Sequence, residues 1–243
     1  MKKIQILASA LMVAFASSCN FTEEITLQED GSGKLSINFD GSELMEMAGE
    51  EMKKTNEKPI DSLISFKDLL EEKHDSIAEL TPEEQAKLKK LEPFMMHMVM
   101  NPDEKVMKFD LFSEFKNVSD VNDAFNAFQG ANVLGSNQQG APAPMESSAS
   151  EVSYAFTGNS FSRKAKILDE QLFQQQVDSL QGAEMFLSGS TYTLKYHFPR
   201  KVKSTTAEEA TFSADGKTLI YEVKFLDLMK DPSLLDLEVE LEN

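Results

Sequence analysis

The sequence predicts an α+β fold: antiparallel sheet built from β-hairpins, with helices packed on one side. Three observations predict it. Apolar residues alternate with polar ones in paired runs separated by Gly-bearing turns. Other stretches repeat apolar residues at helical spacing behind helix-start residues. Hydrophobic content of 41% and charged content of 27% are ordinary for a globular chain, and a single cysteine excludes an intrachain disulfide, so the fold must rest on its core.

The elements follow in order. Ile25 and Leu27, then Leu35, Ile37 and Phe39, alternate around Asp30-Gly31-Ser32-Gly33, which reads as a hairpin turn. Read as a calcium loop, the same turn fails. An EF-hand needs a Glu at its twelfth position, and counting from Asp30 that position is Gly41. Ser42 caps a helix with Leu44, Ala48 and Met52 on one face. A second helix is expected from Asp61 to Leu80, with Leu63, Phe66, Leu70 and Ile77 inward. A third starts at Thr81-Pro82-Glu83-Glu84, where Thr caps and Pro takes the first turn, and it ends before Pro93.

Phe94 to Met100 and Val106 to Phe115 form a second hairpin, and a short helix starts at Ser119 or Asp120 with Val121, Ala124, Phe125 and Phe128 in one stripe. Residues 129–150, rich in Gly, Ser, Gln, Pro and Ala, read as a flexible insertion dividing the chain. Beyond it come a hairpin with Val152, Tyr154, Phe156 and Phe161, and a helix from Asp169 to about Phe186. Next are a strand with Tyr192, Leu194 and Tyr196 and a hairpin around Asp215-Gly216-Lys217. The last strand alternates Leu237, Val239 and Leu241 with acids, and that acidic face reads as protection for a sheet edge.

The formal net charge of −17 repels nucleic acid and anionic headgroups, so neither is an expected partner through a basic face. At the N-terminus, Lys2 and Lys3 precede about a dozen apolar residues, within the roughly 7–15 of a secretory signal. That is short of the roughly 20 that span a bilayer. Ala16, Ser17 and Ser18 are small, as cleavage requires, and Cys19 follows at once.

Ala16-Ser17-Ser18-Cys19 resembles the lipobox of a bacterial lipoprotein of the Bacteroidota type, with Phe15 in front of it rather than a Leu three residues before the Cys. The resemblance implies a signal peptide over 1–18, lipidation of Cys19 by acyl chains such as palmitate, a lipidated tether over 19–24, and a place on the outer membrane, periplasm-facing or at the cell surface. The pair Glu23-Glu24 resembles the short acidic signal that sends such lipoproteins to the surface. Two acyl chains hold a protein stably where one is marginal. A second resemblance rests on the turn Asp30-Gly31-Ser32-Gly33, the run Phe198-Pro199-Arg200-Lys201-Val202 and the turn Asp215-Gly216-Lys217-Thr218. These look like the LppM-type lipoprotein domain. That resemblance implies one α+β domain over 25–243 with the insertion inside it, and brings no catalytic residue with it.

The chain lacks the G-x-S-x-G, Walker-type, H-E-x-x-H and G-x-G-x-x-G motifs. Its three histidines, His74, His97 and His197, lie far apart in sequence. In Met95-Met96-His97-Met98-Val99-Met100, thioethers and an imidazole suit Cu(I). On a strand, however, Met96, Met98 and Met100 face away from His97, and methionine is a common core filler. Arg163, with Lys164 and Lys166, and Arg200, with Lys201 and Lys203, are candidates for an anion or headgroup site, against two unrelated strand ends. The expectation is therefore a lipid-anchored envelope protein, a non-catalytic binding or interaction module with no metal, cofactor or catalytic residue assigned. A carrier or sensor of an apolar ligand is the first alternative, and an enzyme with an unrecognised site the second.

Overall fold

The computed structural model describes residues 19–46, 58–122, 149–182 and 184–243. Two sheets carry the fold. The larger has eight strands in the order β10-β11-β8-β1-β2-β5-β4-β3, and the smaller four in the order β6-β7-β12-β9. The strands of the larger sheet are β1 Asn20–Leu27, β2 Gly33–Asp40, β3 Ile60–Ser65, β4 Met95–Asn101, β5 Val106–Phe115, β8 Thr191–His197, β10 Thr211–Phe212 and β11 Thr218–Lys224. The smaller sheet holds β6 Ser150–Thr157, β7 Ser160–Ile167, β9 Val202–Thr205 and β12 Leu237–Leu241. Residues 42–46 are helical, and the further α-helices among the described residues are α1 Phe66–Glu72, α2 His74–Ala78, α3 Pro82–Lys89, α4 Glu170–Ser179, α5 Glu184–Leu187 and α6 Phe225–Lys230. The class is α+β, as the alternation predicts, with the core between the sheets and under the helices.

The β1–β2 hairpin pairs Leu27 with Gly33 and turns through Gly31 at φ +83°, a conformation glycine adopts at no steric cost. Along β1, Phe21, Glu23, Ile25 and Leu27 are buried. They meet Tyr192, Leu194 and Tyr196 of β8 on one side and Leu35, Ile37 and Phe39 of β2 on the other. The β1–β8 pairing is parallel, unlike the hairpin pairings around it. Phe161 of β7 packs edge-on against Tyr196 at 5.3 Å, joining the two sheets.

Several expectations are corrected. Residues 60–65 are strand rather than the start of a helix, and the helix expected to Leu80 is split into α1 and α2. Ile60–Ser65 pairs with Met95–Met100, and tertiary pairing overrides the helical stripe. Helix begins only where the Ser65 side chain accepts the Asp68 N–H. Leu63, expected inward, is 61% exposed. The helix expected to reach Phe186 stops at Ser179 and gives way to a 3₁₀ turn, Leu180–Gly182. The final acidic strand, β12, is not at an edge: it lies between β7 and β9, so its alternating acids simply form a wet outer face. Strands from both sides of 129–150 share the eight-stranded sheet. Most of the expected insertion, the end of the helix from Ser42 and the stripe from Ala124 to Phe128 lie outside the described residues.

The stretch 19–24, expected to be a tether, is folded. Asn20 is already in register with Asp40 and Thr191, and the acids Glu23 and Glu24 point to opposite faces of β1. Among the described residues, no helix is long and apolar enough to cross a membrane.

Candidate functional site

The densest cluster of polar chemistry is buried between the sheets, around Glu23. The period of two along β1 carries Glu23 inward with Phe21 and Ile25, and the same period on β7 carries Arg163 inward with Phe161. Arg163 donates from Nε to Glu23 Oε1 and from Nη2 to Oε2, each at 3.2 Å, a bidentate pair. Tyr154 donates to Oε1 and Tyr192 to Oε2, each at 2.8 Å, and Tyr196 also donates to Oε1. Arg163 Nη1 is satisfied by the Leu235 carbonyl at 3.3 Å.

Burial alone would raise the Glu23 carboxyl; the Arg163 guanidinium and the Tyr196 and Tyr154 hydroxyls reverse this and hold its pKa below the ordinary value. Burial and the Glu23 charge push Tyr154, Tyr192 and Tyr196 well above the usual phenol range. For Arg163, burial acts to lower the pKa, but Glu23 outweighs it and the guanidinium stays charged. Five donors fill the roughly four lone-pair positions of a carboxylate. Glu23 therefore has no acceptor capacity left for a substrate proton. The cluster works as a clasp between the sheets rather than as acid–base machinery.

The arginines do not converge into an anion site. Arg163 is enclosed in the clasp. Arg200 donates to the carbonyls of Glu242 and Gly158, each at 2.9 Å, and its Nε stands 3.1 Å from Glu29 Oε2, an ion pair without an aligned hydrogen bond. It ties the C-terminal strand to two turns.

On the outer face of the large sheet, His197 stands between two partners. Its Nε2 is 2.7 Å from Glu24 Oε1 and its Nδ1 is 3.0 Å from Thr218 Oγ1, while Lys195 Nζ lies 3.1 Å from the same Glu24 oxygen. Burial would raise Glu24, and His197 and Lys195 bring its pKa below the ordinary value instead. Acid, imidazole and hydroxyl in a row are the parts of nucleophilic catalysis. Here they are cross-strand neighbours on β1, β8 and β11, and the backbone N–H groups of β8 are turned to the strands on either side of it. An oxyanion needs N–H groups aimed at it, and this face is a ladder of paired strands.

The other candidates fall into place singly. His97 bonds Asp61 at 2.8 Å on the outer face, while Met96 and Met98 pair in register with Leu111 and Phe109 and pack against the core. His74 is at the surface. Asp30 Oδ1 accepts from the Ser32 backbone N–H and hydroxyl, closing the hairpin turn. Among the described residues, no three His, Cys, Asp or Glu side chains gather to hold a metal ion.

Cys19 is buried, its N–H donating to Ser190 Oγ at 3.2 Å and its carbonyl accepting from the Thr191 N–H at 3.3 Å. Burial pushes the thiol pKa up, the Ser190 hydrogen bond opposes this, and nearby Glu43 and Asp40 add to the rise. A cavity of about 40 Å³ opens beside the clasp, with Val152, Phe173, Gln176, Tyr192, Leu228 and Met229 in its wall. Sequence reasoning missed the clasp, although Glu23 and Arg163 each occupy an inward position of an alternating strand.

No protein-family model matches the chain, and no curated protein does. Among solved structures, it is similar to the folded domain of the Mycobacterium tuberculosis protein LppM, determined by NMR. Identity is 13% over 92% of this chain and 89% of that one, and the TM-score is 0.37. A likeness of this size is weak and carries no argument about function.

Proposed function

We propose that this chain is a lipid-anchored lipoprotein of a Bacteroidota-type outer membrane, and that its α+β domain binds an envelope partner without catalysing a reaction. One observation carries the reading: an N-terminal stretch with the make-up of a secretory signal ends in three small residues directly before Cys19, the single cysteine of the sequence. The clasp adds support for a non-catalytic role, because Glu23 and Arg163, the buried charged side chains among the described residues, are engaged with each other in joining the sheets.

The carrier reading ranks second. About 40 Å³ holds a few water molecules, taking roughly 10–15 Å³ for each, and an acyl chain needs far more. An acidic export signal at Glu23 and Glu24 can be read only on the unfolded chain, since folding buries the first and engages the second with His197 and Lys195.

The test is Cys19→Ser in the full chain, followed by membrane fractionation with a high-salt wash. The lipoprotein reading expects the variant in the soluble fraction and the parent in the pellet. A variant that stays in the pellet sinks it.

A further inference from the structure

The edge of a sheet carries unpaired backbone N–H and C=O groups, and folded proteins usually blunt it. Three of the four edges here are blunted. β10 has only two residues. On β6, Asn122 Oδ1 accepts the Tyr154 N–H at 2.8 Å. β9 has four residues, bears the exposed Lys203 and pairs with β12 through a register shift. β3 is different. Its six residues, Ile60–Ser65, pair with β4 in unbroken register, and no Lys, Pro or Gly interrupts them; Pro59 stands just before the strand. Resting on the reading of the domain as a binding module, we propose that a partner protein docks here by adding an extended strand to β3, with a basic side chain beside Asp61.

The pairing shows which groups would hold the added strand. The Phe66 N–H donates to the Phe94 carbonyl at 3.1 Å, one step beyond the pair Ser65 with Met95. Backbone groups alternate in direction along an antiparallel strand, so Ile60, Ser62 and Ile64 also turn theirs to β4. Asp61 and Leu63 then turn both N–H and C=O outward, and Ser65 its N–H. Among the described residues no strand lies on that side of β3, and these groups have no hydrogen-bond partner. Leu63 on the outer face and Ile60 on the opposite one are both exposed, so an added strand covers apolar surface on each side. Asp61 meets His97 at 2.8 Å, yet its side chain is 78% exposed. In sequence, the charges flanking the strand cancel: Glu50, Glu51 and Glu57 against Lys53, Lys54 and Lys58 before it, Asp68 against Lys67 after it. Asp61 therefore sets the sign at this edge, and the net charge of −17 draws a basic partner in the same sense.

The experiment uses the full chain, matured in a bacterial host and held in detergent, with an end-capped peptide, Thr-Val-Val-Thr-Lys-Val, written to lie antiparallel on β3 with its Lys opposite Asp61. Hydrogen exchange, read residue by residue, should show the Asp61 and Leu63 amides exchanging fast in the free protein and slowing about tenfold or more with saturating peptide. Glu in place of the peptide's Lys should weaken binding about two- to fivefold. Leu63→Pro removes one outward N–H and leaves the ladder to β4 in place, so it should abolish the slowing at Asp61. Leu63→Lys sets a cation beside the peptide's Lys and should weaken binding in the same direction. Asp61 and Leu63 amides that are slow before any peptide is added mean that the edge is already taken, by this chain or by a second copy, and overturn the inference. So do an absence of slowing, protection at another edge instead, or unchanged binding by Leu63→Lys. The fractionation of Cys19→Ser is independent of all these outcomes, so the docking inference and the anchor reading fail separately.

Discussion

Glu23 and Arg163 stand 140 residues apart in the chain and face each other through two hydrogen bonds of 3.2 Å, with neither side chain more than 3% exposed. Breaking a buried pair by removing one partner strands the other charge. Glu23→Gln and Arg163→Ala should each lower unfolding free energy by about 3–5 kcal/mol. Denaturant unfolding checks this, and the double variant should be less damaged than the sum of the two, with a coupling of about 0.5–3 kcal/mol. Additive effects would mean that the contact is incidental.

The same clasp sets the response to pH. The folded Glu23 pKa is depressed, so the unfolded chain takes up its proton first as the pH falls. This contribution to stability is full above the ordinary carboxylate value of about 4.3 and is lost as the pH drops below it toward the folded value. The tyrosines act at the other end. Their folded pKa values are raised, so their contribution is full below the ordinary phenol value of about 10 and falls away above it. Unfolding followed across pH should show stability falling at both limits, and Glu23→Gln should flatten the acid limb.

The Cys19 thiol should be unreactive while the domain is folded. In the unlipidated chain, burial both shields the sulfur and disfavours the thiolate. A disulfide reagent should label it only as fast as the fold opens. Rapid labelling of the native domain would count against the burial.

Leu63 separates strand from helix at residues 60–65. On an inward helical stripe, Leu63→Lys would be severely destabilising. On the exposed side of β3 it should change stability by no more than about 0.5 kcal/mol. Thermal unfolding of that single variant distinguishes the two.

Gly33 marks a close approach. A Cβ there would run into the Thr26 carbonyl oxygen and lie 2.7 Å from Phe115 Cζ. Gly33→Ala should cost about 1–3 kcal/mol, the usual penalty of overpacking, in the same unfolding measurement. Gly158→Ala has open space around it and should cost only the strain of its φ of +62°.

The hairpins were legible because each shows period-two alternation on both sides of a turn residue: Ile25 and Leu27 against Leu35 and Ile37, or Tyr154 against Phe161. Pairings between distant strands leave no such local trace. Nothing near Phe21 says that its parallel neighbour is Tyr192, and nothing near Leu237 says that β7 and β9 flank it. Residues 60–65 were misread because Leu63 and Phe66 fit a helical stripe, while strand pairing with β4 decides their conformation. The clasp was half legible. Alternation places Glu23 and Arg163 inward, and a charge at an inward position implies a partner, but only the fold brings the two together.

The order of synthesis gives the position of β1 a further meaning. β1 is hydrogen-bonded at residue 20 to residue 191, so the β8 side of its place in the sheet does not exist until most of the chain has been made. Long-range pairing of this kind closes slowly. Until then β1 has only its hairpin partner β2, and the parallel side of its ladder stays open.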